Sequence, residues 1–171
     1  RLAGRRVVHV NSTREGGGVA EILNWMVPLM CELGLDARWE IIEGTPGFFA
    51  TTKSVHNGLQ GFPVSISQKE WDGYREMNEQ NIVRLQPLLE EADLVVIHDP
   101  QPAPLLHLCP RRKGKWIWRA HIDISHPYRP VWKALRPFVE RYDASIFSMA
   151  QFAQLLPHPQ FIIAPSIDPL S

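Results

Sequence analysis

Two hydrophobic periods alternate along this chain. Short runs that are almost wholly apolar, or that alternate strictly, are separated by longer stretches with apolar residues every three or four positions. Residues 6–11 form a β-rich run, and a turn-like Ser12-Thr13-Arg14 leads to Gly16, Gly17 and Gly18. Val19, Ile22, Leu23, Met26, Met30 and Leu33 then recur at helical spacing, with Gly34 as C-cap. Pro28 inside this helix is expected to kink it or remove a hydrogen bond. Residues 37–42 read as a second strand, which completes a βαβ unit. Residues 45–65 predict only short helical turns between Gly and Pro. A capping box at Ser67 and Glu70 opens a long helix towards Glu91, with a second kink expected at Pro87.

Further strands are predicted over 93–98, 116–121, 144–148 and 161–164, with a helical turn at 105–108, a helix over 130–142 and a short one over 150–156. Short buried strands joined by helices predict a parallel sheet covered on both faces. The fold class is therefore α/β: a doubly wound, Rossmann-like sheet.

Composition narrows the classes of function. The 171 residues suit one domain, and Lys plus Arg (18) balances Asp plus Glu (18). Zero net charge argues against a nucleic-acid binder held by phosphate contacts. No apolar run approaches a membrane span, and no signal peptide is visible, so neither a membrane nor a nucleic acid is expected as partner. Cys31 and Cys109 form no disulfide framework, read as buried thiols, and suit a cytoplasmic location. The chain opens on Arg1 and stops at Ser171 beyond an apolar run, so both ends read as cut.

In a doubly wound sheet the ligand lies outside the carboxyl ends of the strands. After the first strand, Gly16, Gly17 and Gly18 let backbone approach a ligand, and the helix that follows offers free N–H groups to an oxygen. The pattern is neither G-x-G-x-x-G nor a P-loop, and a tight turn with no ligand is the plainer alternative. The 93–98 strand ends in His98-Asp99-Pro100-Gln101, where a carboxylate and an imidazole can orient a hydroxyl or exchange protons. Equally, Asp99 could cap a turn and His98 could be a core histidine. Alternation along the 116–121 strand and beyond puts Arg119, His121 and Asp123 on one face, a polar wall with Trp116 and Trp118 as platforms for sugar rings. A structural Arg119–Asp123 pair is the alternative. His98, Asp99, His121, Asp123 and His126 lack metal-ligand spacing, so no metal is expected. The basic run Arg111, Arg112, Lys113 and Lys115 reads as a solvated loop.

Together, residues 9–21 (HVNSTREGGGVAE), 98–101 (HDPQ), 118–123 (WRAHID) and 165–171 (PSIDPLS) resemble the trehalose synthase branch of the retaining glycosyltransferases, which is close to trehalose phosphorylases. The resemblance implies a GT-B architecture of two Rossmann-like domains facing across a cleft. Residues 1–164 would be the N-terminal, acceptor-side domain and residues 165–171 the start of the linker. The C-terminal domain, which binds the nucleotide in such enzymes, would be the missing partner, and the chain would be inactive without it.

The implied reaction moves glucose from a nucleoside-diphosphate glucose to glucose, with retention, giving α,α-trehalose. No metal or other cofactor is implied. Asp99 resembles the carboxylate that orients sugars near the reacting centre, and His121 the histidine that contacts the donor sugar's 6-hydroxyl; both are the catalytic candidates. Gly16, Gly17 and Gly18 would face the donor diphosphate and sugars, and Gln101, Arg119 and Asp123 are acceptor-binding candidates by location. Alternatives are half of a trehalose phosphorylase or a non-catalytic sugar- or nucleotide-binding module. A dinucleotide oxidoreductase would need a third glycine, although Glu40 and Glu43 lie near the expected acidic position.

Overall fold

The computed structural model describes residues 2–165; the expected linker beyond Pro165 lies outside the described residues. Six strands, β1 (Arg6–Asn11), β2 (Asp36–Ile41), β3 (Leu94–His98), β4 (Lys115–Ala120), β5 (Ala144–Phe147) and β6 (Gln160–Ile162), form one sheet in the order β2-β1-β3-β4-β5-β6. Every neighbouring pair is parallel. The order reverses between β1 and β3, and a crevice opens at such a switch point.

Strand alternation divides the core. Val8, Val10, Val95, Ile97, Trp116, Trp118 and Phe147 face the larger cluster, beneath α2 (Pro46–Leu59), α3 (Gln68–Glu91), α4 (Arg129–Val139) and the 3-10 turn Ala103–Leu108. Residues one step out of phase, among them His9, Asn11, Trp39, His98 and Arg119, point to the opposite side. There Ala20 and Leu23 of α1 (Gly18–Glu32) pack on Trp39. Each large apolar side chain buried in this way contributes about 1.5–3 kcal/mol.

At the amino ends of the strands, carboxylates bind the chain together. Asp93 accepts from the Arg6 N–H at 2.8 Å and from Arg5 Nη1 at 2.6 Å. Asp143 accepts from the Trp116 N–H at 2.8 Å, from Arg112 at 2.6 Å and from Lys115 at 3.0 Å. With Arg111 on Glu90 and Lys113 on Glu91, the basic run is a set of ion pairs on this end of the sheet.

Several elements differ from expectation. Residues 46–59 are one continuous helix rather than short turns. Thr45 caps it by accepting from the Phe48 N–H at 3.1 Å, Pro46 occupies its first turn, and Phe48, Val55 and Leu59 are buried. Gly58 does not break α2; it admits α4, because a Cβ there would lie 2.6 Å from Val131 Cγ2. Helices α1 and α3 continue through Pro28 and Pro87, each of which leaves its turn without one N–H bond, as expected. The capping box holds: Ser67 N–H donates to Glu70 Oε2 at 2.7 Å, and Ser67 Oγ accepts from the Glu70 N–H at 3.3 Å. The predicted short helix after β5 is a single 3-10 turn, Ala150–Phe152. Cys109 is buried, but Cys31 is exposed on α1, near the helix's C-terminus.

Candidate functional site

The strand ends of β1 and β3 meet the amino terminus of α1 in a cleft of about 490 Å³. The chain turns sharply into α1. Gly16 has φ of 69° and Gly17 of 153°, values that side chains other than glycine adopt at a cost. No side chain caps α1, since Gly17 occupies the N-cap position, so its first N–H groups and partial positive charge are open to the cleft. A Cβ at Gly16, Gly17 or Gly18 would meet nothing within 4 Å, so the backbone is approachable from solvent.

Opposite this loop stands Asp99, the one described non-glycine residue with positive φ, at 62°. That conformation costs an aspartate less than most residues, but it is still strained. Three main-chain contacts hold it. Asp99 N–H donates to the Arg119 carbonyl at 2.9 Å, Trp118 Nε1 donates to the Asp99 carbonyl at 3.0 Å, and the His121 N–H donates to Asp99 Oδ1 at 2.8 Å. The following loop is anchored from below. Tyr74 donates to the Pro100 carbonyl at 2.5 Å, Asn78 to the Gln101 carbonyl at 3.1 Å and Tyr142 to the Ala103 carbonyl at 2.8 Å. Gln101 therefore enters the cleft from a rigid support.

Three imidazoles run from the sheet to the cleft. His9 Nδ1 lies 3.0 Å from His98 Nε2, and His98 Nδ1 lies 2.8 Å from His121 Nε2. His98 and His121 stack at 5.1 Å between ring centroids. Burial pushes His9 and His121 down to about 4, with help from the Arg119 charge. His98 is driven well down by burial, then by its two histidine neighbours and Arg119. All three rings are neutral at pH 7. Burial pushes the Asp99 carboxyl up to about 6, against the lowering effects of the His121 N–H and of Arg119.

Not every sequence candidate reaches the cleft. Gly16, Gly17, Gly18, Asp99, Gln101 and His121 line it; Arg119 and Asp123 do not. Strand β4 ends at Ala120, so the alternation expected to carry the polar face onward to Asp123 stops there. Asp123 instead turns outward and accepts from the Ser125 N–H at 2.8 Å. Arg119 is only 9% exposed, and among the described residues it has no carboxylate partner, so the Arg119–Asp123 pair does not form. Its charge acts on the histidines and Asp99 from beneath the cleft. Trp116 and Trp118 are no sugar platforms, being completely buried on the other face of the sheet. Among the described residues, no group of three His, Cys, Asp or Glu is placed to hold a metal ion.

Sequence reasoning missed Asn11, His56 and Ser148, which also line the cleft. Asn11 ends β1 and Ser148 follows β5, so the strand-end rule could have found both. His56 comes from α2, whose continuity the Gly and Pro residues concealed. Asn11 is fixed by Trp39 Nε1 at 2.7 Å and by its own bond to the Thr13 carbonyl at 2.7 Å. A neutral imidazole, a carboxyl titrating near 6, amides and open helix N–H groups suit a ligand rich in hydroxyls, with one anionic end at α1.

Comparison with known proteins identifies the family. Residues 9–154 match the family described as "Trehalose synthase, N-terminal domain". The chain is 50% identical over 173 residues to a trehalose synthase of Thermococcus litoralis, covering 99% of this chain and 41% of that protein. It is 41% identical to the trehalose synthase of Rubrobacter xylanophilus, covering 100% of this chain and 42% of the relative. A trehalose phosphorylase of Pleurotus sajor-caju is 30% identical over 73% of the chain, which covers 19% of that protein. The chain thus spans about two-fifths of the length of the synthases it matches.

Among solved structures, a trehalose-6-phosphate synthase superposes with a TM-score of 0.62 at 19% identity, covering 85% of this chain and 41% of that one. A UDP-forming α,α-trehalose-phosphate synthase from Burkholderia xenovorans, in complex with glucose-6-phosphate, gives 0.61 at 17% identity, covering 86% of this chain and 41% of that one. These likenesses establish the fold, a Rossmann-like domain of the GT-B kind. The chain belongs to the family of trehalose synthase N-terminal domains.

Proposed function

We propose that this chain is the acceptor-side half of a retaining glycosyltransferase that moves glucose from a nucleoside-diphosphate glucose to the anomeric hydroxyl of a second glucose, giving α,α-trehalose. One observation carries the reading: Asp99, His121 and the glycine loop converge on one cleft at the β1/β3 switch point. They do so in a chain half identical to a trehalose synthase.

In this reading the sugar C1–O bond to the diphosphate breaks while the acceptor's anomeric oxygen bonds to the same face and passes its hydroxyl proton to the departing phosphate oxygen. Positive charge develops on the ring, and an ionised Asp99 orients hydroxyls beside it and stabilises that charge. His121, neutral at pH 7, holds a donor-sugar hydroxyl, and Gln101 holds the acceptor. The open amino end of α1 favours the departing diphosphate. No metal or other cofactor enters the scheme. The nucleotide is held by a C-terminal domain, so the 171-residue chain binds sugar without turning it over. A cytoplasmic location belongs to the same reading, supported by two free cysteines.

The test is titration of the 15N-labelled chain with glucose and trehalose. Shifts at Gly16, Gly17, Gly18 and His121 are expected; shifts confined to the amino ends of the strands would refute the site. Turnover of nucleoside-diphosphate glucose by a chain extended through a C-terminal domain, and its lack in the short chain, tests the division of labour. The 30% identity to trehalose phosphorylase supports a second reading, half of a phosphorylase. Trehalose cleavage by the extended enzyme that requires inorganic phosphate would select it.

A further inference from the structure

The three histidines obey a strict rule of proton counting. Each N···N contact holds one proton, each neutral imidazole carries one, and His98 uses both of its nitrogens. Only two arrangements satisfy both contacts. In the first, every ring is protonated on Nδ1: His9 donates to His98, His98 donates to His121, and His121 Nδ1–H is left over. In the second, every ring is protonated on Nε2, the donations reverse, and His121 Nδ1 is left with a lone pair. The rings cannot choose separately.

The inner end of the chain decides between them. His9 Nε2 is buried and has no partner among the described residues. The second arrangement would put an N–H there with nothing to accept it, and orphaned buried donors are the rarest of unsatisfied polar groups. The first leaves only a lone pair at that atom. At the outer end, the side chain of His121 lines the cleft and its main chain is tied to Asp99. Its free nitrogen is Nδ1, since Nε2 is engaged by His98.

We propose that His9 and His98 are positioning residues: bonded in series behind His121, they hold its imidazole in the Nδ1–H tautomer and present that N–H to the cleft as a fixed donor. A ligand oxygen opposite His121 is then an acceptor, and a hydroxyl there must turn its own hydrogen elsewhere. The inference deepens the proposed sugar site, although the tautomer itself exists without any ligand. It also gives a reason for two histidines on a face of the sheet where apolar residues would cost less.

The experiment is long-range 1H–15N spectroscopy of the ligand-free, 15N-histidine-labelled protein at pH 7. The expected result is protonated Nδ1 on His9, His98 and His121. Protonated Nε2 on His121, or a charged ring, would overturn the proposal. In His9→Phe the donor to His98 is lost, and His121 should become a mixture of both tautomers, with sugar affinity about 3–10-fold weaker. His9→Asn places an amide N–H near the position of Nδ1 and should restore the single tautomer; an unchanged His121 in His9→Phe would refute the coupling. Should His9→Phe fail to fold, the wild-type spectrum still decides. An Nδ1–H tautomer with no response to any sugar would leave this inference standing and remove the proposed function.

Discussion

The main-chain N–H of His121 donates to the carboxylate of Asp99 across 22 residues of sequence, at 2.8 Å. The two catalytic candidates therefore form one unit, with the carboxyl of one fixed by the backbone of the other. Asp99→Asn keeps an acceptor for that bond, tolerates positive φ and removes a buried charge, so at pH 7 it should fold with a Tm at or above that of wild type. In the enzyme extended through a C-terminal domain, it should lower kcat/KM by roughly 100-fold or more through loss of the charge facing the reacting sugar. Steady-state kinetics and a melting curve check the pair of outcomes; normal kinetics would remove Asp99 from the chemistry.

The same residue gives stability an unusual dependence on pH. Asp99 has a folded pKa of about 6 against 3.8 unfolded, so its contribution is present below 3.8 and is lost as pH rises through 6. His9 and His121 run the other way: about 4 folded against 6.5 unfolded, with full stability above 6.5 that is lost as pH falls through 4. His98, also lowered well below its ordinary value by burial, acts with them. Between pH 4 and 6 the histidines outnumber the aspartate, so stability should climb with pH. Each proton contributes a slope of about 1.4 kcal/mol per pH unit. Removing the opposing group in Asp99→Asn should steepen that climb, which urea unfolding at pH 4.5, 5.5 and 7 would measure.

Gly16 and Gly17 differ from most glycines in needing their backbone angles. Gly16→Ala should cost about 1–2 kcal/mol of stability, by forcing a side chain into the left-handed region. A Cβ there meets nothing, so the loss would be conformational rather than steric. Calorimetry reads the cost, and weaker binding of a nucleoside diphosphate to the extended enzyme would show that the loop geometry serves the anion.

Gly58 fails for the opposite reason. A methyl group there would lie 2.6 Å from Val131 Cγ2 and 3.0 Å from Val64 Cγ2, so α2 and α4 would have to part. Gly58→Ala should destabilise by about 1–3 kcal/mol. Because His56 lies on the same helix, its NMR signals should shift with the repacking.

The sheet was legible in the sequence because its strands are short apolar runs and parallel strands buried on both faces must be so. The strand-end rule then located Asp99, Gln101 and His121 without any side-chain geometry. The rule failed where backbone conformation changed. Period-two reasoning placed Asp123 in the cleft only if the strand continued, and β4 ends at Ala120. The chemistry of Trp118 suggests a sugar platform, but its phase along β4 puts it in the core with its indole N–H tied to the Asp99 carbonyl. The histidine series was beyond reach, since His9, His98 and His121 lie 89 and 23 residues apart and meet only through strand register.

Asp93 and Asp143 fasten strands at the end of the sheet remote from the cleft. That division makes the domain a chassis with a mechanical pole and a chemical pole. Side chains at the cleft can be exchanged without disturbing the ties that align the strands. Substitutions around the cleft are therefore expected to spare the ties at the amino ends, which lie at the other end of the strands.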